Sequence, residues 1–142
     1  MRLICFLILI FSTNLVASER KLPVGTFPGV SFSLEKNGVS ILSDRDVHYY
    51  KSTLQIKKVS SDIYEFTTAV YLQNKRESKA LSDTRVDRYK VIWKSETMGA
   101  LINEREEYDK ELSEFLLLAN SFTIKSLVSN SGIIETQTYK IE

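Results

Sequence analysis

The chain has 142 residues, a length typical of one domain, and its 43% hydrophobic and 26% charged residues are ordinary for a globular protein. Arg2 is the only charge in residues 1–18, so removing this segment leaves 18 of the 19 basic side chains against 18 acidic ones. A net charge near zero argues against a nucleic-acid binder, which needs a basic surface to neutralise phosphates. It also argues against a polybasic protein of the membrane surface.

Residues 1–18 have the pattern of a cleaved secretory signal peptide. Arg2 supplies the positive start, residues 3–11 are apolar, and Val16-Ala17-Ser18 supplies small residues at the exit. The apolar run is well short of the ~20 residues that a membrane span needs. The sequence therefore predicts cleavage after Ala17 or Ser18, with no transmembrane span in the mature chain.

The mature chain lacks the cysteines and N-glycosylation sites that are common in small secreted domains of animals. Cys5 is the only cysteine and lies within the predicted signal peptide, and no Asn-x-Ser/Thr glycosylation site occurs. Both absences favour export to a bacterial periplasm or to the cell exterior.

After the signal peptide, the pattern predicts an extended lead-in at 19–29, which holds both prolines, and a single β-rich domain at 30–142. Asn37-Gly38 is the strongest turn signal, because both central residues of a type I′ hairpin turn need positive φ. Alternation of apolar and polar residues predicts strands at 30–34, 39–42, 47–59, 63–73, 84–95, 100–102, 122–129 and 133–141.

One segment changes from the period of a strand to that of a helix. Asn103 and Glu106 fit an N-cap pair, and acidic residues follow at the positive end of a helix. The pattern predicts one late helix over 104–119, with Leu117 off its docking face. That face would hold the residues at helical spacing, namely Tyr108, Leu112, Phe115, Leu116 and Ala119.

The predicted fold is mainly β. About eight strands joined by short turns form an antiparallel meander, and such a meander can close on itself and remove its exposed edges. We expect a small closed or partly open β-barrel, with an architecture like that of lipocalins and the late helix against it. A curved antiparallel sheet packed on that helix is the alternative.

Few residues in the mature chain suggest catalysis or metal binding. His48 is the only histidine, so a two-histidine metal site is impossible, and the mature chain has no cysteine to join it as a ligand. No Gly-x-Ser-x-Gly elbow and no Gly-rich phosphate loop is present. The acidic clusters 44–46, 83–87 and 104–107 are explained by turns, interleaved arginines and a helix start. We therefore predict no catalytic residues, no metal site and no cofactor.

The aromatic residues of two strands suggest a binding site. A small barrel can hold one apolar ligand, although side chains can also fill its interior completely, and the sequence leaves both interpretations open. The candidate ligand-binding residues are Tyr64, Phe66, Tyr89, Val91 and Trp93.

These observations predict an exported small binding protein, not an enzyme, holding a small apolar or amphipathic ligand. The alternative is a protein-interaction module, such as an adaptor, an inhibitor or an accessory subunit of an envelope assembly. An unfilled interior would favour the ligand. A filled interior with exposed tyrosines, such as Tyr49 and Tyr71, would favour a protein partner, because tyrosine is enriched at interfaces.

Overall fold

The computed structural model describes residues 19–41, 47–74, 80–105, 113–128 and 131–142. Every regular element within these ranges is a β-strand. The strands are β1 Gly25–Lys36, β2 Val39–Ser40, β3 Val47–Lys58, β4 Ile63–Asn74, β5 Ala80–Trp93, β6 Met98–Asn103, β7 Ser113–Leu118, β8 Ser121–Val128 and β9 Ile133–Lys140.

Eight of these strands close into an antiparallel barrel, because β1 pairs with two partners. Residues 25–28 of β1 pair with 53–56 of β3, and residues 29–36 of the same strand pair with 133–139 of β9. From β3 to β9, each strand pairs with the next one along the chain. The predicted closed antiparallel barrel is thus confirmed, and β2 is an extra strand beside β1.

A β-bulge lies at the point where β1 changes its partner from β3 to β9. Gly29 and Ser31 of β1 pair with the consecutive residues Tyr139 and Thr138 of β9, which leaves Val30 as the extra residue. Val30 is 64% exposed. Because a bulge adds one residue, it changes which residues point inward. Phe27 faces inward before the bulge, and Phe32 and Leu34 face inward after it. Val30 therefore does not face inward, although it alternates with Phe32 and Leu34 in the sequence.

The predicted hairpin turn at Asn37-Gly38 is confirmed. Asn37 has φ of 53° and Gly38 has φ of 77°, and β1 pairs with β2 immediately on either side. A Cβ at Gly38 would meet no atom within 4 Å, so only the backbone conformation restricts this position.

We expect Gly38→Val to lower the free energy of unfolding by about 1–2 kcal/mol, the cost of left-handed backbone for a residue with a Cβ. Denaturant titration measures this. Gly38→Asn is the matched control, because asparagine tolerates positive φ and should cost less. Equal stability of Gly38→Val and the unsubstituted chain would contradict the strained-turn explanation.

The predicted helix over 104–119 is wrong in its second half. Ser113–Leu118 is a strand that pairs with β6 on one side and β8 on the other. Its side chains alternate as in a strand, with Phe115 buried and Glu114 exposed. Because the segment pairs on both edges, its backbone N–H and C=O groups form hydrogen bonds with β6 and β8. These bonds outweigh the local preference for a helix that the spacing of apolar residues suggested. Tyr108 and Leu112, which were to complete the helical face, lie outside the described residues.

The core occupies one end of the barrel, which we call the base. Turns 59–62, 94–97 and 119–120 lie there, together with residues 19–24, of which Leu22 is buried. Phe66 of β4 reaches Phe122 of β8 with ring centroids 6.1 Å apart, so side chains span the interior at this level. The buried core residues are Leu22, Phe27, Leu54, Ile56, Tyr64, Phe66, Val91, Leu101, Phe115, Phe122 and Tyr139.

A salt bridge links two strands on the outer surface of the barrel near the base. Lys94 Nζ donates to Glu114 Oε1 at 2.8 Å, which links the end of β5 to β7 across β6. This hydrogen bond, reinforced by charge attraction to Lys94, lowers the pKa of Glu114 below its ordinary value. The pair is exposed to solvent, so its contribution to stability is small.

Candidate functional site

The structure brings all five predicted site residues together on the inner face of β4 and β5. Tyr64, Phe66 and Val91 are buried, whereas Tyr89 and Trp93 are half-buried and pack against the core. Phe66 meets Tyr89 edge-on with ring centroids 5.1 Å apart. These residues fill the base of the barrel with side chains.

Three of the five also form the floor of a cleft at the base. The cleft has a volume of about 860 Å³, and its floor consists of Tyr64, Val91 and Trp93. Trp93 is held in place by Phe115, whose ring is perpendicular to the indole at a centroid distance of 5.0 Å. Phe66 and Tyr89 lie deeper and do not line the cleft.

The rim of the cleft is polar and comes from three separate segments: Glu19 and Arg20, Ser61 and Asp62, and Glu96. A guanidinium nitrogen of Arg20 donates to the carbonyl of Ser95 at 3.0 Å, which holds the N-terminal segment against the turn after β5. Sequence reasoning missed these rim residues. They lie in turns and in the lead-in, where no periodic pattern marks them.

Ion pairs surround the rim and limit its net charge. Lys90 Nζ lies 3.6 Å from Asp62, and Lys21 Nζ lies 3.3 Å from Glu19. The cleft therefore combines an aromatic floor with a rim of mixed charge. A small molecule with an apolar body and a polar end matches that combination.

At the opposite end of the barrel, which we call the mouth, the inner face becomes more accessible. Along β9 the inner residues run from Tyr139, which is fully buried, to Gln137 and Glu135, which are half-buried. Along β8 they run from buried Phe122 to half-buried Ile124. Among the described residues, the inner face is thus buried at the base and half-buried toward the mouth.

Polar side chains form a band on the inner face between the core and the mouth. Asp87 accepts a hydrogen bond from the Asn103 amide at 3.3 Å and pairs with Arg85 Nε at 2.5 Å. The hydroxyls of Ser113 and Ser126 lie 2.8 Å apart. Among the described residues, no buried side-chain nitrogen or oxygen is left without a hydrogen-bond partner.

Two features are absent from the described residues. These residues contain no group of three or more His, Cys, Asp or Glu side chains that could hold a metal ion. They also contain no helix with the length and hydropathy to cross a membrane. The side chain of His48 lies outside the described part of the chain.

No protein-family model matches this chain, and no curated protein matches it either. Among solved structures, it is similar to a de novo designed fluorescence-activating β-barrel, with a TM-score of 0.45 and 11% identity over 84% of this chain and 93% of the designed one. The fold class, a closed eight-stranded antiparallel β-barrel, rests on the strand order and register described above. Barrels of this size are compatible with holding one small ligand.

Proposed function

We propose that this chain is an exported binding protein, not an enzyme, and that it holds a small amphipathic molecule in the cleft at the base of the barrel. The observation that carries the proposal is the cleft of about 860 Å³ floored by Tyr64, Val91 and Trp93. This volume lies within the range of roughly 300–1,000 Å³ that is usual for small-molecule sites. The mixed-charge rim would hold the polar end of the ligand.

The sequence left open whether these five residues fill a core or line a ligand site. They fill the base of the barrel, and Tyr71 is 43% exposed, which by itself favours a protein partner. Trp93 nevertheless keeps a half-buried surface that faces the cleft, where the described residues covering the base are 19–24 and the turns. A ligand would therefore contact the outer side of this core instead of entering it.

A titration monitored by tryptophan emission tests the proposal, since Trp93 is the only tryptophan. We expect fatty acids and related amphiphiles to shift the emission of the chain starting at Glu19. We also expect Trp93→Ala to weaken binding by roughly tenfold or more, measured by calorimetry, because a buried aromatic contact contributes ~1.5–3 kcal/mol.

Ile92→Ala is the control for this experiment. Ile92 is the neighbour of Trp93 on the same strand but points outward and is 43% exposed. Its loss should leave ligand affinity unchanged. Unchanged emission across the panel, together with native mass spectra free of bound small molecules, would contradict ligand binding in this cleft.

The proposal of export rests on residues 1–18. We expect the protein recovered from a periplasm or culture medium to begin at Ser18 or Glu19, as determined by N-terminal sequencing. Recovery of a chain that still begins at Met1 would contradict cleavage.

A protein-interaction module remains the second candidate, because the outer wall carries an exposed apolar row. Ile92, Met98 and Leu118 are 43%, 46% and 47% exposed and are diagonal neighbours on β5, β6 and β7. Contiguous exposed apolar residues are typical of interaction surfaces. Failure of the emission titration would favour this candidate.

A further inference from the structure

The mouth of the barrel differs from the base in having an acidic residue, Glu135, on its inner face. This residue faces inward on β9 and is half-buried. In the sheet register it lies between Leu34 of β1 and Ser126 of β8, whose side chains are also inward-facing and half-buried. Its carboxylate therefore stands in the half-buried part of the interior, away from the core at the base.

A ladder of hydrogen bonds along β9 orients the Glu135 carboxylate. The hydroxyl of Tyr139, which is fully buried, donates to the amide oxygen of Gln137, and the amide nitrogen of Gln137 donates to Glu135 Oε1. The ladder starts in the core and ends at Glu135. Oε1 of Glu135 thus has a hydrogen-bond donor among the described residues, and Oε2 has none.

Glu135 has no cationic partner among the described residues, in contrast to Asp87. Asp87 is paired with Arg85, whereas no Lys or Arg nitrogen lies within 4.0 Å of Glu135 in the described ranges. A cation supplied by a ligand would form a charge-assisted hydrogen bond with this carboxylate.

Apolar side chains lie one step deeper than Glu135. The register places Phe32 of β1 and Ile124 of β8 on either side of Gln137, and both are inward-facing and half-buried. Two apolar side chains next to the Glu135 carboxylate match a molecule with a short apolar body and one positive end.

We infer that the mouth binds a small amphipathic amine. Its ammonium group donates to Glu135, with the hydroxyl of Ser126 as a second acceptor, and its apolar body lies toward Phe32 and Ile124. This site is at the opposite end of the barrel from the cleft floored by Trp93, so it does not depend on the proposed function of that cleft.

Calorimetry on the chain starting at Glu19, with straight-chain alkylamines, alcohols and carboxylates of equal length, tests this inference. We expect the amines to bind at least tenfold more tightly than the alcohols, because hydrogen bonds to charged groups contribute about 1.5–3 kcal/mol. The carboxylates should not bind at the mouth, since they would be repelled by Glu135.

Glu135→Gln removes the charge and keeps the shape. We expect it to reduce amine affinity by on the order of tenfold or more. Glu35→Gln is the matched control, because Glu35 lies on the same pair of strands but on the outer face, opposite Ile134. It should leave amine affinity unchanged.

Thermal unfolding of each variant establishes that the barrel is intact. If Glu135→Gln fails to fold, Glu135→Asp replaces it, and the preference for amine over alcohol should persist because the charge remains. Absence of amine binding, equal affinity for amines and alcohols, or unchanged amine affinity in Glu135→Gln would overturn the inference.

Discussion

Phe115→Ala should lower the free energy of unfolding by about 3–5 kcal/mol, the range observed when a buried aromatic ring is removed from a core. The ring of Phe115 is 2% exposed and contacts Trp93 and Phe122 at centroid distances of 5.0 Å and 5.7 Å. Its loss would leave a cavity between β7 and the neighbouring strands. Chemical denaturation, with the midpoint and slope both determined, measures the change.

The residues after Phe115 distinguish a strand from a helix at this place. In the strand, Leu117 packs against the core, whereas Leu116 points outward beside Met98 and Thr123. We therefore expect Leu117→Ala to be more destabilising than Leu116→Ala. The helical spacing would give the opposite order, with Leu116 on the docked face. An equal or reversed effect would contradict the strand geometry of β7.

Gly99→Ala should destabilise the barrel by about 1–3 kcal/mol, with overpacking as the cause. A Cβ at this position would lie 2.5 Å from the Cε1 and Cζ atoms of Phe115 and 2.5 Å from the carbonyl oxygen of Ile92. Gly99 lies on the inner face of β6, directly opposite both Trp93 and Phe115 in the register. Its lack of a side chain makes room for the Phe115 ring.

A double substitution tests this explanation. Leucine at position 115 lacks the ring atoms that an added Cβ would meet, so Gly99→Ala should cost less in a Phe115→Leu background than alone. Coupling between the two sites in a double-mutant cycle is the expected signature of direct contact. Additive effects would mean that the backbone of Ile92, not the Phe115 ring, limits this position.

Strict alternation made the long strands predictable. In β4, buried Tyr64 and Phe66 alternate with more exposed residues. Both residues pair with β3 on one side and β5 on the other, as in an antiparallel meander. The Asn37-Gly38 turn was predictable for a local reason, since positive φ at both central residues restricts the residue types. The aromatic inner face of β4 and β5 followed from the same alternation.

Other features depend on contacts between residues far apart in the chain. The two pairings of β1 require a bulge at Val30 that alternation does not reveal. The helical spacing around Phe115 was misleading, because pairing with β6 and β8 outweighs a weak local preference.

The sequence by itself determined that this is an antiparallel β protein, where its clearest turn lies, and which strand face carries Tyr64 and Trp93. These features depend on neighbours within a few positions, where alternation and φ preferences act. Only the tertiary structure decided the closure of the barrel, the strand β7, and the gathering of Arg20, Asp62 and Glu96 around one cleft. It also decided that Glu135 faces the interior at the mouth end. Each of these depends on which distant strands pair and in which register, and that is settled by the packing of the whole core.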